Sequence, residues 1–109
     1  MNYNVLSIPP FDKQLKRLAK KFPSLKKDFA NLVESLEQNP KQGTPLGNNC
    51  YKIRLAIASK GKGKSGGARI IANIIIAENI VFLLSIYDKS ERQNLSNKEL
   101  IELLKEVLN

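Results

Sequence analysis

Apolar residues recur along this chain with two different periods, and the changes of period divide it into elements. Residues 4–8 alternate weakly and predict a short first strand, which Pro9-Pro10 breaks. Phe11, Leu15, Leu18 and Phe22 then recur at helical spacing, with Lys13, Lys16, Arg17, Lys20 and Lys21 between them. Pro23-Ser24 ends that helix, and Ser24 is placed to cap a second one. Its stripe is Leu25, Phe29, Leu32, Val33 and Leu36, and Asn39-Pro40 stops it. The very short link between the two predicts an antiparallel αα-hairpin. Residues 41–49, with Gly43, Pro45 and Gly47, read as a turn-rich loop.

Beyond that loop the period falls to two. Tyr51, Ile53, Leu55 and Ile57 alternate with Lys52, Arg54, Ala56 and Ala58, which gives a strand one buried and one open face. Strands are predicted over residues 51–58, 68–77 and 80–87. Glu78-Asn79 joins the last two as a hairpin, and residues 60–67 join the first two as a wide one. Both links favour an antiparallel meander. Ser96-Asn97-Lys98-Glu99 is a capping box before a helix lined by Leu100, Ile101, Leu104, Val107 and Leu108. The pattern predicts one α+β domain over residues 1–109, an N-terminal αα-hairpin packed on an antiparallel sheet with a C-terminal helix. A length of 109 residues suits a single core.

Composition changes this picture through its charge. Hydrophobic content of 42% is ordinary, but a formal charge of +8 is not, and it points to an anionic partner. No apolar run approaches the ~20 residues of a spanning helix, so a membrane protein is not expected. The start Met1-Asn2-Tyr3-Asn4-Val5-Leu6 lacks the features of a signal peptide. One cysteine, Cys50, excludes an internal disulfide and suits the reducing cytoplasm. The absence of histidine excludes triads with a histidine base and, with one cysteine, argues against a zinc site. Neither a metal nor a small-molecule cofactor is expected.

The candidate chemistry lies between residues 51 and 92. Lys52 and Arg54 share the open face of one strand, either as a phosphate-binding pair or as a plain solvated surface. Arg69 opens the next strand after Gly66-Gly67, where a fixed guanidinium can fork onto a phosphate. The competing reading is an ion pair with Glu78 or Glu91. Lys60, Lys62 and Lys64 in the glycine loop suit mobile contact with a polyanion. Gly63-Lys64-Ser65 is not a P-loop: Ala58 stands where the motif needs glycine, and a strand follows instead of a helix. Lys89 and Arg92 add cations after the last strand, and Tyr87 is either a stacking platform or a core aromatic. The lysines of the first helix read as its solvated face, with non-specific phosphate contact as a further use.

Three segments in this order and spacing resemble the RelE/ParE superfamily, closest to its RelE/HigB-like branch. They are Cys50-Tyr51-Lys52-Ile53-Arg54-Leu55, then Lys64-Ser65-Gly66-Gly67-Ala68-Arg69-Ile70, then Leu84-Ser85-Ile86-Tyr87-Asp88-Lys89-Ser90-Glu91. The resemblance implies a toxin of a type II toxin–antitoxin module, with a cognate antitoxin as partner. It implies entry into the ribosomal A site and cleavage of messenger RNA there. Lys52 and Arg54 match the family's basic pair, Arg69 its strand-opening arginine, and Lys89 a basic residue after the fourth strand. Some RelE proteins place a catalytic tyrosine near the terminal helix; the corresponding neighbourhood here offers Leu95, and Tyr87, which sits earlier, is the nearest candidate. The implied reaction is metal-independent attack by the RNA 2′-hydroxyl. In it Arg69 holds the phosphate, Lys52 accepts a proton, Arg54 stabilises charge, and Lys89 or Tyr87 protonates the leaving oxygen. Lys60, Lys62, Lys64 and Arg92 are the expected RNA contacts. Two rival readings are a ParE-like inhibitor of DNA gyrase and a non-enzymatic nucleic-acid-binding module.

Overall fold

A computed structural model describes residues 2–108. Its elements are β1 (Asn4–Ser7), α1 (Pro9–Lys21), α2 (Leu25–Gln38), β2 (Thr44–Gly47), β3 (Cys50–Leu55), β4 (Ala68–Ile75), β5 (Ile80–Asp88) and α3 (Asn97–Leu108). Single 3₁₀ turns follow β3 at Ala58–Lys60 and β4 at Ile76–Glu78. The two prolines that end β1 also start α1, because the first helical positions need no amide donor. Ser24 precedes α2 but does not cap it with its side chain: the hydroxyl donates to Asp28 Oδ2 at 2.7 Å instead. The capping box of α3 forms as predicted, with Glu99 N donating to Ser96 Oγ and Ser96 N donating to Glu99 Oε1, each at 3.1 Å.

The five strands form one sheet in the order β1-β5-β4-β3-β2. The meander of β3, β4 and β5 is antiparallel as expected. The sheet as a whole is mixed, because β1 pairs with β5 in parallel. The αα-hairpin between β1 and the rest carries the chain across the sheet, and a four-residue strand has too little pattern to declare its direction. Residues 41–49 are not all loop. Thr44–Gly47 pairs with β3 through a two-residue turn, Asn48-Asn49, both in the left-handed region at φ 53° and 58°. Strand β4 ends at Ile75 and not at residue 77, since a 3₁₀ turn closed by left-handed Asn79 makes the connection.

The helical hairpin covers one face of the sheet. Phe11, Leu18, Leu25 and Leu36 are fully buried, in one core with Ile53, Ile70 and Ile86. Helix α3 lies beside the other face, with Leu100 and Leu104 buried near Ile71 and Asn73. Where β1 stops, Gln14 of α1 takes over the edge of β5: its Oε1 accepts from Ile86 N at 2.9 Å and from Ser85 Oγ at 3.1 Å. None of the described helices is long and apolar enough to cross a membrane.

Candidate active site

Strand alternation sends Cys50, Lys52 and Arg54 to the face that α3 covers in part. The register then sets Arg54 opposite Arg69 and Arg69 opposite Tyr87, so the three form a row across β3, β4 and β5. Lys52 stands in the neighbouring row, opposite Ile71. Directly paired residues share a face, so Lys52, Arg54 and Arg69 project to one side of the sheet. None of the three is bridged to a carboxylate among the described residues.

Their exposures differ sharply. Arg54 is open to solvent and Lys52 is half-buried. Arg69 is only 4% exposed. Its Nη1 donates to Lys64 O at 2.9 Å and to Ala68 O at 3.2 Å, and Nη2 donates to Ser65 O at 3.3 Å. A buried guanidinium needs acceptors, and here the glycine loop folds back to supply them. The ion pair of the competing reading does not form: Glu91 is held by Arg17 at 2.8 Å, and Glu78 lies in the turn at the other end of β4. Arg69 thus spends three of its five N–H donors on fixing the loop.

The loop returns at Gly67, whose absent Cβ is the reason it fits. A methyl group there would sit 2.1 Å from Leu55 O. Gly67 O also accepts from Lys89 N at 3.0 Å, which ties the end of β5 to the loop. Gly67→Ala is expected to force β3 and the loop apart and to cost about 1–3 kcal/mol, read as a lower midpoint in thermal unfolding.

Not every predicted cation reaches this face. Lys62 and Lys64 are exposed, and Lys64 joins Lys52 and Arg54 around a shallow hollow of about 220 Å³. Lys60 goes elsewhere. Its Nζ donates to Asp88 Oδ1 and to Ser90 Oγ, both at 2.7 Å, and lies 5.3 Å from the centre of the Phe22 ring. Asp88 alternates with Tyr87 and therefore emerges on the helical face, 1% exposed, where a buried carboxylate calls for a cation beside its hydrogen bonds. Burial pushes the Asp88 carboxyl up, but hydrogen bonds from Lys60 and Ser90 outweigh this and the net shift is downward. Lys60 is thereby a structural partner of Asp88 and is not presented to RNA.

Tyr87 is not a stacking platform. It is 6% exposed, and the Arg92 guanidinium lies 5.6 Å from its ring centre. Among the described residues, its hydroxyl is the buried side-chain polar atom without a hydrogen-bond partner; the Leu95 backbone comes near without completing a bond. Burial raises its pKa against the opposing pull of Arg69 and Arg92, so this hydroxyl keeps its proton.

Arg92 is committed too. It bridges to Glu99 and its Nε donates to Asn94 O at 3.0 Å. Glu99 falls from the usual 4.5 to about 2, through the hydrogen bond from Arg92 first and the Ser96 amide second. A folded-state value below the unfolded one contributes stability that is complete above pH ~4.5 and is lost as the pH falls toward 2. The start of α3 is expected to stay docked at pH 4 and to loosen below pH 3, as amide hydrogen exchange across residues 92–100 would show.

Lys89 is half-buried, and no side-chain hydrogen bond or ion pair engages its ammonium among the described residues. One participant was missed from sequence. Asn94 Oδ1 accepts from Lys52 Nζ at 3.1 Å, across a hollow of about 210 Å³ that Leu95 and Leu100 also line. A polar residue in an irregular loop carries no periodic signal, so nothing local points to it. Among the described residues no group of three or more His, Cys, Asp or Glu side chains is placed to hold a metal ion.

Comparison with known proteins bears on the fold and the family. The chain is similar in fold to the isolated E. coli RelE toxin, at 21% identity and a TM-score of 0.58 over 96% of this chain and 98% of that one. A free E. coli RelE carrying two arginine-to-alanine changes gives 18% identity and a TM-score of 0.62, over 98% and 99% of the two chains. A chain of the toxin–antitoxin complex RelBE2 from Mycobacterium tuberculosis gives 19% and 0.57, over 81% of this chain and 99% of that one. At such identities these are likenesses of fold. A family model described as the RelE toxin of the RelE/RelB toxin–antitoxin system matches residues 11–107, nearly the whole chain, and the protein therefore belongs to the RelE toxin family.

Proposed function

We propose that this toxin is a ribosome-dependent endoribonuclease that cuts messenger RNA without a metal ion. The observation that carries the reading is the shared face of Lys52, Arg54 and Arg69, with an exposed guanidinium above a buried, fixed one. The ribose 2′-oxygen attacks the adjacent phosphorus and loses its proton to a base. The bond from phosphorus to the 5′-oxygen breaks, and an acid protonates that oxygen. The products are a 2′,3′-cyclic phosphate and a free 5′-hydroxyl. Catalysis of this kind asks for in-line positioning and for charge complementary to the phosphorane.

The geometry redistributes the roles. Arg54 contacts the non-bridging oxygens, because it is the arginine of the row that faces solvent. Arg69 is a positioning residue: it holds Lys64 and Ser65 by their carbonyls and adds positive potential beneath the phosphate. Lys52, oriented by Asn94, stands on the rim of the same hollow as Arg54 and Lys64 and, in its neutral amine form, takes the 2′-proton. Lys89, just past the end of β5, supplies the proton to the leaving oxygen, a role the buried Tyr87 hydroxyl cannot fill. Lys62 and Lys64 hold the flanking backbone. The partner that silences the toxin is a cognate antitoxin with acidic and apolar segments, matched to the basic surface.

Toeprinting on purified 70S ribosomes tests this reading. The wild-type protein should introduce cuts in the A-site codon and leave 2′,3′-cyclic phosphate ends. Uncut transcripts in that assay would refute it. Double-strand DNA breaks from stalled gyrase would then favour the ParE-like reading, and salt-dependent binding without product would favour the non-enzymatic one.

A further inference from the structure

Seven of the eighteen basic residues fall between residues 13 and 27, on α1 and the start of α2. The two acids that flank that run are already engaged. Asp12 accepts from Ser7 Oγ at 2.6 Å, and Asp28 accepts from Ser24 Oγ and from Ala58 N. Arg17 and Lys21 turn toward Glu91. Lys13, Lys16, Lys20, Lys26 and Lys27 remain, all exposed, and among the described residues none is bridged to a carboxylate.

Lys13, Lys16 and Lys20 follow one another at i, i+3 and i+7, which places them on one stripe about 10 Å long. That stripe lies opposite Phe11 and Leu18, the buried side of α1. Lys26 faces Lys16 and Lys20 across a groove floored by Leu15 and Ala19. The helices cover the sheet face opposite to the Arg54 row, so this surface is separate from the candidate active site.

We infer that the lysine stripe of α1, with Lys26, is a second RNA contact that grips the phosphate backbone of a duplex region. The chemistry favours that partner over others. A membrane-bound helix inserts its apolar face, and the apolar face of α1 is already spent on the core. A protein interface centres on aromatic and apolar residues and is poor in lysine, whereas this stripe is lysine without aromatics. Single-stranded RNA would ask for stacking side chains. Lysine ammoniums at helical spacing suit a fixed double row of phosphates, read for charge and not for sequence. The inference rests on the proposed function only for the choice of RNA.

The test reads binding and not cleavage, so a protein that never cuts messenger can still pass or fail it. The triple variant Lys13→Gln, Lys16→Gln, Lys20→Gln is titrated against a fluorescent RNA hairpin and against vacant 70S ribosomes at several salt concentrations. Circular dichroism checks that α1 is retained. Affinity is expected to fall at least about tenfold, and the slope of log K against log salt to become shallower by about 2–3. A matched variant, Lys41→Gln, Lys98→Gln, Lys105→Gln, removes the same charge elsewhere and is expected to hold its affinity. Equal losses in the two variants would reduce the effect to net charge and overturn the assignment. So would unchanged RNA affinity in the first variant.

Discussion

An Arg54→Ala toxin is expected to occupy the ribosome and leave the messenger uncut, with single-turnover cleavage slowed by at least about 10²-fold. Removing one donor aimed at developing negative charge typically costs that much. The side chain is exposed and makes no hydrogen bond within the described structure, so its loss should leave the thermal midpoint in place. Arg69→Lys should behave differently. It keeps a charge but loses the fork that spans Lys64, Ala68 and Ser65, so both the thermal midpoint and the cleavage rate should drop. The discriminating pair of measurements is cleavage rate and melting temperature on the same preparations. Full activity in Arg54→Ala would remove the central element of the proposed mechanism.

The largest effect on stability is expected at Asp88. Replacing it with alanine strands the Lys60 ammonium, whose side chain is 9% exposed, without a counter-charge. Breaking a buried pair by deleting one partner costs roughly 3–5 kcal/mol. At about 4–8 °C per kcal/mol for a domain near this size, the melting midpoint should fall by more than about 10 °C. The double variant Lys60→Met, Asp88→Leu removes both charges and should regain at least half of the loss. Chemical denaturation of the three proteins would decide it, and a single variant as stable as the wild type would show the pair to be dispensable. Because the net shift of the Asp88 carboxyl is downward, the pair contributes fully above the ordinary carboxylate range and is lost as the pH drops through the lowered value.

Much of this was legible in the chain because alternation is a strong signal. Residues 51–55 announce which side chains share a face, and Lys52 and Arg54 land together for that reason. Arg69 joins them through a register that the long, strongly apolar β4 fixes against both neighbours. Burial was not legible. Periodicity does not say that the glycine loop will fold back over Arg69, since an aperiodic loop leaves its conformation open, or that Lys60 will cross to the helical face to meet Asp88, since that contact joins residues 28 apart. Strand β2 hid behind Pro45 and Gly47, residues that usually argue against a strand, although Asn48-Asn49 is a recognisable hairpin turn. The parallel pairing of β1 was invisible for a similar reason, since four residues carry too little pattern to fix a direction.

The parallel bond between β1 and β5 has a consequence for synthesis. The strand made first finds its mate only after residues 80–83 have left the tunnel, and the arginine row lacks its tyrosine until residue 87 follows. A nascent chain paused before that point carries Lys52, Arg54 and Arg69 on a β3–β4 hairpin that still lacks β5. The poison is therefore assembled late, only once β5 has emerged and paired.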